Sequence, residues 1–175
     1  MAQHPRALLF DLDGTLLDSA PDLAGTANDM RLARGLAALP YAQLRPHAGS
    51  GARGMLGQAF ALTPRDAGYA PLRDEFHDRY EARMRQDTRL FAQVHELVDA
   101  LQRLSLPWGI VTNKSLRFCA PLAQAWAPLA RAGALVGGDS TPFTKPHPEP
   151  LLEAARRLGV EPGACAYVGD DPRDM

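Results

Sequence analysis

The feature that most restricts what this chain can fold into is the stretch Ala7-Leu8-Leu9-Phe10-Asp11-Leu12-Asp13-Gly14-Thr15. An apolar run ends abruptly in two carboxylates one residue apart. A strand buried on both faces of a parallel sheet reads as a continuous apolar run. Ala7–Phe10 has that form, which puts Asp11 at the strand's carboxyl end, where open α/β sheets bind ligands. On a regular strand Asp11 and Asp13 would point to opposite faces. Gly14 can adopt backbone angles closed to other residues, so a turn here can aim both carboxylates into one site. These residues alone leave a second reading open: a strand followed by an Asp-Gly turn whose acidic groups are merely solvated.

From Thr15 to Leu104 the pattern is helical. Asp18 or Ser19 can cap a helix with Pro21 in its first turn and Gly35 at its end, with Leu23, Ala27, Met30 and Leu32 on one face. Gly49–Met55 reads as a flexible stretch leading into a helix through Phe60. Pro64–Gly68 is a loop. Tyr69–Arg85 is helical, with Leu72, Phe76, Tyr80 and Met84 at a spacing of four. Val94, Leu97, Val98, Leu101 and Leu104 mark an amphipathic helix. Trp108–Val111 is a second apolar strand, ending in Thr112-Asn113-Lys114, and Ser115 can cap the helix through Phe118, Leu122 and Trp126. Ala134–Val136 is a third strand. Gly137–Pro148 is a loop carrying Lys145. Glu149–Leu158 is a helix closed by Gly159. Ala166–Val168 is a fourth strand, ending in Gly169-Asp170-Asp171-Pro172-Arg173-Asp174. Strands alternating with helices predict an α/β fold, a Rossmann-like doubly wound parallel sheet. The all-helical stretch is its insertion, a small helical domain over residues 19–88 between core segments 1–18 and 89–175.

Composition narrows the function. With 175 residues, 46% of them hydrophobic, the chain can bury a core without disulfides. A formal net charge of −1 excludes the basic surface of a nucleic-acid-binding domain. No apolar run approaches a membrane span or a signal peptide. Cys119 and Cys165 form no CxxC pair and are expected to be buried, reduced thiols of a cytoplasmic protein. The five histidines stand at no zinc-like spacing. Met175 follows directly on the last acidic cluster, so a covering helix and a further strand are expected to be missing, with the fourth strand's face and edge exposed.

Each strand end delivers a different chemical group: two carboxylates, then a hydroxyl and an amide, then an ammonium, then more carboxylates. Crowded carboxylates repel, and a bound dication relieves that. Hard oxygen donors suit Mg²⁺. A metal, a cation and hydrogen-bond donors around a phosphoryl group are the recurring parts of phosphoryl transfer. A carboxylate can itself be the nucleophile, forming an aspartyl-phosphate.

Asp11-Leu12-Asp13-Gly14-Thr15, Val111-Thr112-Asn113, Lys145-Pro146 and Gly169–Asp174 together resemble, in order and in their preceding strands, the four motifs of the haloacid dehalogenase superfamily. The helical insertion resembles that family's cap domain of the first type. The resemblance implies a nucleophile at Asp11 and a general acid–base at Asp13. Thr112 and the main-chain amide of Asn113 would bind phosphoryl oxygens, and Lys145 would offset their charge. Mg²⁺ would be held by Asp11, the Asp13 main-chain carbonyl and Asp170, with Asp171 or Asp174 orienting metal-bound water. An aspartate at position 13 implies phosphatase or phosphomutase chemistry.

Within the superfamily, Val111–Lys114 and Lys145–Leu151 resemble phosphoglycolate phosphatases. Gly51-Ala52-Arg53, Leu72–Phe76, Trp108-Gly109 and Gly169–Asp171 resemble N-acetylmuramic acid 6-phosphate phosphatases. The implied activity is Mg²⁺-dependent hydrolysis of a small, carboxylate-bearing phosphate ester by a monomer or weak homodimer. A sugar-phosphate mutase, or an inactive fragment that binds a ligand or partner, is the alternative. Gly51 and Arg53 are candidates for substrate binding, against the plainer reading of Arg53 as a solvated helix-start residue. Lys114 is expected to face solvent. Asp174 could be an ordinary helix N-terminal carboxylate. Trp108 and Trp126 are expected in the core.

Overall fold

The computed structural model describes residues 4–174. The elements run β1 (Ala7–Phe10), β2 (Leu17–Asp18), α1 (Ala20–Leu32), α2 (Tyr41–Leu44), α3 (Gly51–Phe60), α4 (Tyr69–Arg83) and β3 (Arg89–Leu90). They continue with α5 (Val94–Arg103), β4 (Trp108–Val111), α6 (Leu116–Ala125), β5 (Ala134–Val136), α7 (Glu149–Leu158) and β6 (Cys165–Val168). The chain forms two compact units. One is built from residues up to Leu17 and from Leu90 onward, the other from Asp18–Arg89. The two-residue strands β2 and β3 pair with each other.

The first unit is an α/β structure around a parallel sheet in the order β5-β4-β1-β6. The order places β1 and β4 inside the sheet, and their apolar runs follow from that: Ala7, Leu9, Phe10 and all four residues of β4 are buried. Leu9, Val111, Val136 and Ala154 form one core cluster, with Leu151, Leu158 and Tyr167 packed against it. Burying a Leu or Val fully is worth ~1.5–3 kcal/mol, so this cluster anchors α7 to the sheet. Gly109 suits close strand spacing, because a β-carbon there would meet the Ala134 carbonyl oxygen at 3.0 Å, a tight contact. The expected closure of α7 is present, with Gly159 left-handed at φ 67°. β6 is an edge strand of half-buried residues, and Val168 at its end is 45% exposed.

The second unit is all helical. Leu23, Ala27 and Met30 of α1 pack with Leu44, Met55, Leu56, Phe76 and Tyr80, all buried. Asp22 is buried with them. Its carboxylate accepts from the Thr88 N–H and hydroxyl, both at 2.8 Å, and from the Asp87 N–H at 3.1 Å. It thereby ties the first turn of α1 to the segment that closes the unit.

Several local expectations are corrected. Leu32 is 59% exposed and Leu104 is 74% exposed, because each lies at the C-terminal end of its helix, past the packed face. Neither Ser19 nor Ser115 caps through its side chain. Asp18 pairs with Arg45, and the Leu116 N–H donates instead to Asp139 from a later loop. The Gly49–Met55 stretch is a 3-10 turn over Arg45–Ser50 running into α3. Trp108 is buried, whereas Trp126 is half-buried. β2, β3 and α2 are too short to leave a periodic signal.

Candidate active site

The carboxyl ends of β1, β4 and β6 assemble the site in the first unit. Just past the strands, the Asp11 N–H donates to the Val168 carbonyl and the Thr112 N–H to the Val136 carbonyl, both at 2.9 Å. The chain then turns sharply. The Leu16 and Leu17 N–H groups both return to the Leu12 carbonyl, and Gly14 sits at φ +86°. This turn resolves the Asp-x-Asp problem, since alternation stops at Asp11. Gly14 has no β-carbon for a second reason: one would lie 2.1 Å from Asp170 Oδ2. Thr15 Oγ1 donates to Asp170 Oδ1 at 2.9 Å, so the first and last motifs touch.

Asp11 is buried, and its Oδ1 accepts from the Leu12 N–H at 2.7 Å. The Lys145 ammonium lies 3.0 Å from the same oxygen. Burial pushes the Asp11 carboxyl up to about 6, with Lys145 opposing the rise. Lys145 is itself buried, and Nζ also donates to Asp174 Oδ1 at 2.7 Å and to the Tyr167 hydroxyl at 2.5 Å. Three acceptors match the three N–H donors of an ammonium. The Lys145 main chain is fixed by Asn113, whose amide oxygen accepts from the Lys145 N–H at 2.8 Å and whose Nδ2 donates to the Lys145 carbonyl at 3.0 Å. The second and third motifs are thus joined through the Asn113 side chain.

Asp11, Asp170 and Asp174 each offer a carboxylate oxygen within 4.8 Å of the others. Three hard, anionic donors at this spacing fit a divalent cation such as Mg²⁺. Asp174 is a buried partner of Lys145 rather than an exposed helix-start carboxylate, and its Oδ2 also accepts from the Asp171 N–H at 3.0 Å. Gly169 accommodates that closeness, as a β-carbon there would lie 2.1 Å from Asp174 Oδ2 and displace the carboxylate. Asp171 turns to the guanidinium of Arg173, at 2.6 and 2.7 Å, which holds its carboxyl down at about 2.

Lys114 does not face solvent. Its side chain is 9% exposed, and Nζ donates to Asp13 Oδ2 at 2.9 Å. Its own N–H donates to Thr112 Oγ1 at 3.2 Å. Tyr167 was not legible as a site residue. Its hydroxyl reaches the Val111 carbonyl at 3.0 Å as well as Lys145, and burial beside Asp11 and Asp174 holds the phenol protonated, well above its ordinary range. The only sequence signal was a large polar-tipped residue in a strand of otherwise small or aliphatic ones.

Gly51 and Arg53 belong to the helical unit. Gly51 opens α3 at φ 54°, and Arg53 lies exposed in that helix's first turn rather than in a loop. Gly54 is there because a β-carbon would meet the His47 carbonyl at 2.2 Å. Its smallness therefore serves the fold.

Residues 5–175 match the family model described as haloacid dehalogenase-like hydrolase. A phosphoglycolate phosphatase of Xanthomonas campestris pv. campestris (strain 8004) is 47% identical over 173 residues, covering 99% of this chain and 78% of the relative. An N-acetylmuramic acid 6-phosphate phosphatase of Pseudomonas aeruginosa is 41% identical over 170 residues, covering 97% of this chain and 75% of the relative. A crystal structure from Haemophilus somnus 129PT, described as a predicted phosphoglycolate phosphatase, superposes with a TM-score of 0.84 at 27% identity, covering 100% of this chain and 80% of that one.

Proposed function

The chain belongs to the haloacid dehalogenase-like hydrolase family, and from that premise we propose that it is a cytoplasmic phosphomonoesterase for a small, carboxylate-bearing phosphate ester. The relatives' names supply two substrate candidates, 2-phosphoglycolate and N-acetylmuramic acid 6-phosphate. The observation that carries the reading is the buried Asp11 carboxylate, 3.0 Å from the Lys145 ammonium and beside Asp170 and Asp174.

In this reading an Asp11 carboxylate oxygen attacks phosphorus. A bond forms between that oxygen and phosphorus while the ester P–O bond breaks. Asp13 gives its proton to the departing alkoxide, releasing the alcohol. Water then attacks the aspartyl-phosphate, Asp13 takes a proton from it, and inorganic phosphate leaves with Asp11 restored. Thr112 and the Asn113 amide hold phosphoryl oxygens, and Lys145 offsets their charge. Asp11, the Asp13 carbonyl and Asp170 would hold Mg²⁺, which when bound supplies positive charge to the phosphoryl group. Asp171 and Asp174 support that set from behind. In this reading the helical unit is the cap that excludes water and reads the substrate, with Gly51 and Arg53, in the first turn of α3, as its substrate-binding residues.

The test is a phosphate-release assay with Mg²⁺ over a panel containing both candidate substrates and p-nitrophenyl phosphate. Hydrolysis of one carboxylate-bearing ester well above the rest, lost on chelation and restored by Mg²⁺, is the expected result. Absence of phosphate release from every ester would overturn the reading.

A further inference from the structure

We propose that Lys114 is a positioning residue that acts through Asp13, holding the acid–base carboxylate in the orientation that proton transfer to the leaving oxygen requires. The inference rests on the phosphomonoesterase reading above. It starts from geometry. Asp13 lies within the turn that follows β1, three residues past Phe10, and is not one of the three carboxylates, Asp11, Asp170 and Asp174, whose oxygens converge within 4.8 Å. Lys114, just past the carboxyl end of β4, reaches it with Nζ 2.9 Å from Oδ2.

Two features make this contact more than a surface ion pair. The Lys114 side chain is 9% exposed and that of Asp13 is 23% exposed, so solvent screens the pair weakly. The base of Lys114 is also fixed. Its N–H donates to Thr112 Oγ1 at 3.2 Å, and its carbonyl accepts from the Gly138 N–H at 2.8 Å. Gly138 can lie that close only because it lacks a β-carbon, which would sit 2.2 Å from the Asn113 carbonyl oxygen. The lysine is therefore anchored in the phosphate-binding motif and extended to the acid–base residue.

The consequence is orientational. A carboxylate rotates readily about its terminal bond unless something fixes its plane. With Oδ2 held by the Lys114 ammonium, the plane of the carboxylate is fixed. Its alignment with the phosphoryl site is set by the same segment, Thr112–Lys114, that in this reading binds the phosphoryl oxygens. Misplacement of a catalytic group by about 1 Å can cost on the order of a hundredfold. Removing Lys114 should cost most where the leaving oxygen most needs a proton.

That dependence supplies the test. The kcat/KM value reports steps up to release of the first product, and so isolates leaving-group departure from hydrolysis of the aspartyl-phosphate. A p-nitrophenolate leaves without protonation, whereas an alkoxide does not. For Lys114→Met, kcat/KM on the preferred alkyl phosphate should fall roughly ten- to a hundredfold, with a change of no more than about threefold on p-nitrophenyl phosphate. Lys114→Arg, which restores a cation able to reach Asp13, should recover most of the loss. In an Asp13→Asn background, Lys114→Met should add almost nothing.

Equal losses on both substrates would overturn the proposal and make Lys114 a structural residue. No loss on either would overturn it as well. Thermal unfolding of each variant identifies a folding defect, and if Lys114→Met fails to fold, Lys114→Arg and Lys114→Gln carry the same comparison. A wild-type protein that hydrolyses neither ester overturns the phosphomonoesterase reading itself, whereas a wild-type that hydrolyses both with no selective loss in the variants overturns only the role of Lys114.

Discussion

A β-carbon on Gly14 would lie 2.1 Å from Asp170 Oδ2, so the first turn of the chain and the last acidic motif are fitted to each other with no room for a methyl group. Gly14 also holds φ +86°, where an L side chain costs ~1–2 kcal/mol. Gly14→Ala should therefore displace Asp170 and lower phosphatase activity by more than about tenfold, a barrier increase above ~1.4 kcal/mol. Gly163→Ala, with nothing within 4 Å of its β-carbon, is the matched control and should leave kcat unchanged. Parallel kinetics on the two variants check the point.

Asp11→Asn should abolish turnover and keep the fold. An amide is a far poorer nucleophile than a carboxylate. Lys145 keeps Asp174 and Tyr167 as partners, so the change strands no buried charge. Steady-state phosphate release and circular dichroism test this together. Retention of more than about a tenth of the wild-type rate would remove Asp11 from the nucleophile role.

Tyr167→Phe deletes one oxygen and nothing else. It leaves the Val111 carbonyl and one Lys145 N–H without the partners that the hydroxyl provides at 3.0 and 2.5 Å. An orphaned buried group costs ~1–3 kcal/mol, so urea unfolding should show a loss of that size. A drop in kcat larger than the drop in the folded fraction would show that the hydroxyl also aims Lys145 at Asp11. Unchanged stability and rate would mean that water replaces it.

Asp22 does comparable work in the helical unit, where the Asp87 and Thr88 N–H groups and the Thr88 hydroxyl all donate to its buried carboxylate. Asp22→Ala strands these donors together, and at ~1–3 kcal/mol per orphaned buried group the unit should lose at least about 2 kcal/mol. Limited proteolysis should then cut first between Asp18 and Arg89. Cleavage confined to other segments would argue against this tie.

The parallel sheet was legible because β1, β4, β5 and β6 are short apolar runs, each broken at once by a residue of another kind: Asp11, Thr112, Gly137 and Gly169. Asp11 and Asp170 could be marked from that pattern, and Lys145 from its place in order among the motifs. Lys114 and Tyr167 could not. A lysine beside a motif reads as solvated until its neighbours are known, and those of Lys114 are distant in sequence: Asp13 takes its ammonium, and Gly138, 24 residues further along, donates to its carbonyl. The side-chain role of Asn113 was hidden in the same way, because its partner is the main chain of Lys145. Helix caps failed for a related reason: Asp139 took the place expected for Ser115 from a distant loop. Contacts between residues far apart in sequence leave no local period.

The final prediction concerns Arg53. It stands exposed in the first turn of α3, one residue before Gly54 and two after Gly51. Ion pairs hold Arg34, Arg45, Arg73 and Arg83 of the same unit. An arginine fork suits a carboxylate, and both candidate substrates carry one. Helix N-termini add a favourable field for an anion. Arg53→Ala should therefore raise KM on the carboxylate-bearing ester far more than on p-nitrophenyl phosphate, which has no carboxylate. A charged hydrogen bond of ~1.5–3 kcal/mol corresponds to a loss of roughly ten- to a hundredfold in the ratio of the two kcat/KM values. Arg53→Lys should recover part of the loss, because it keeps the charge but not the fork. Equal losses on both substrates would make Arg53 a support for the helical unit. No loss on either would leave it a solvated residue, and the carboxylate preference would then have to come from elsewhere in the protein.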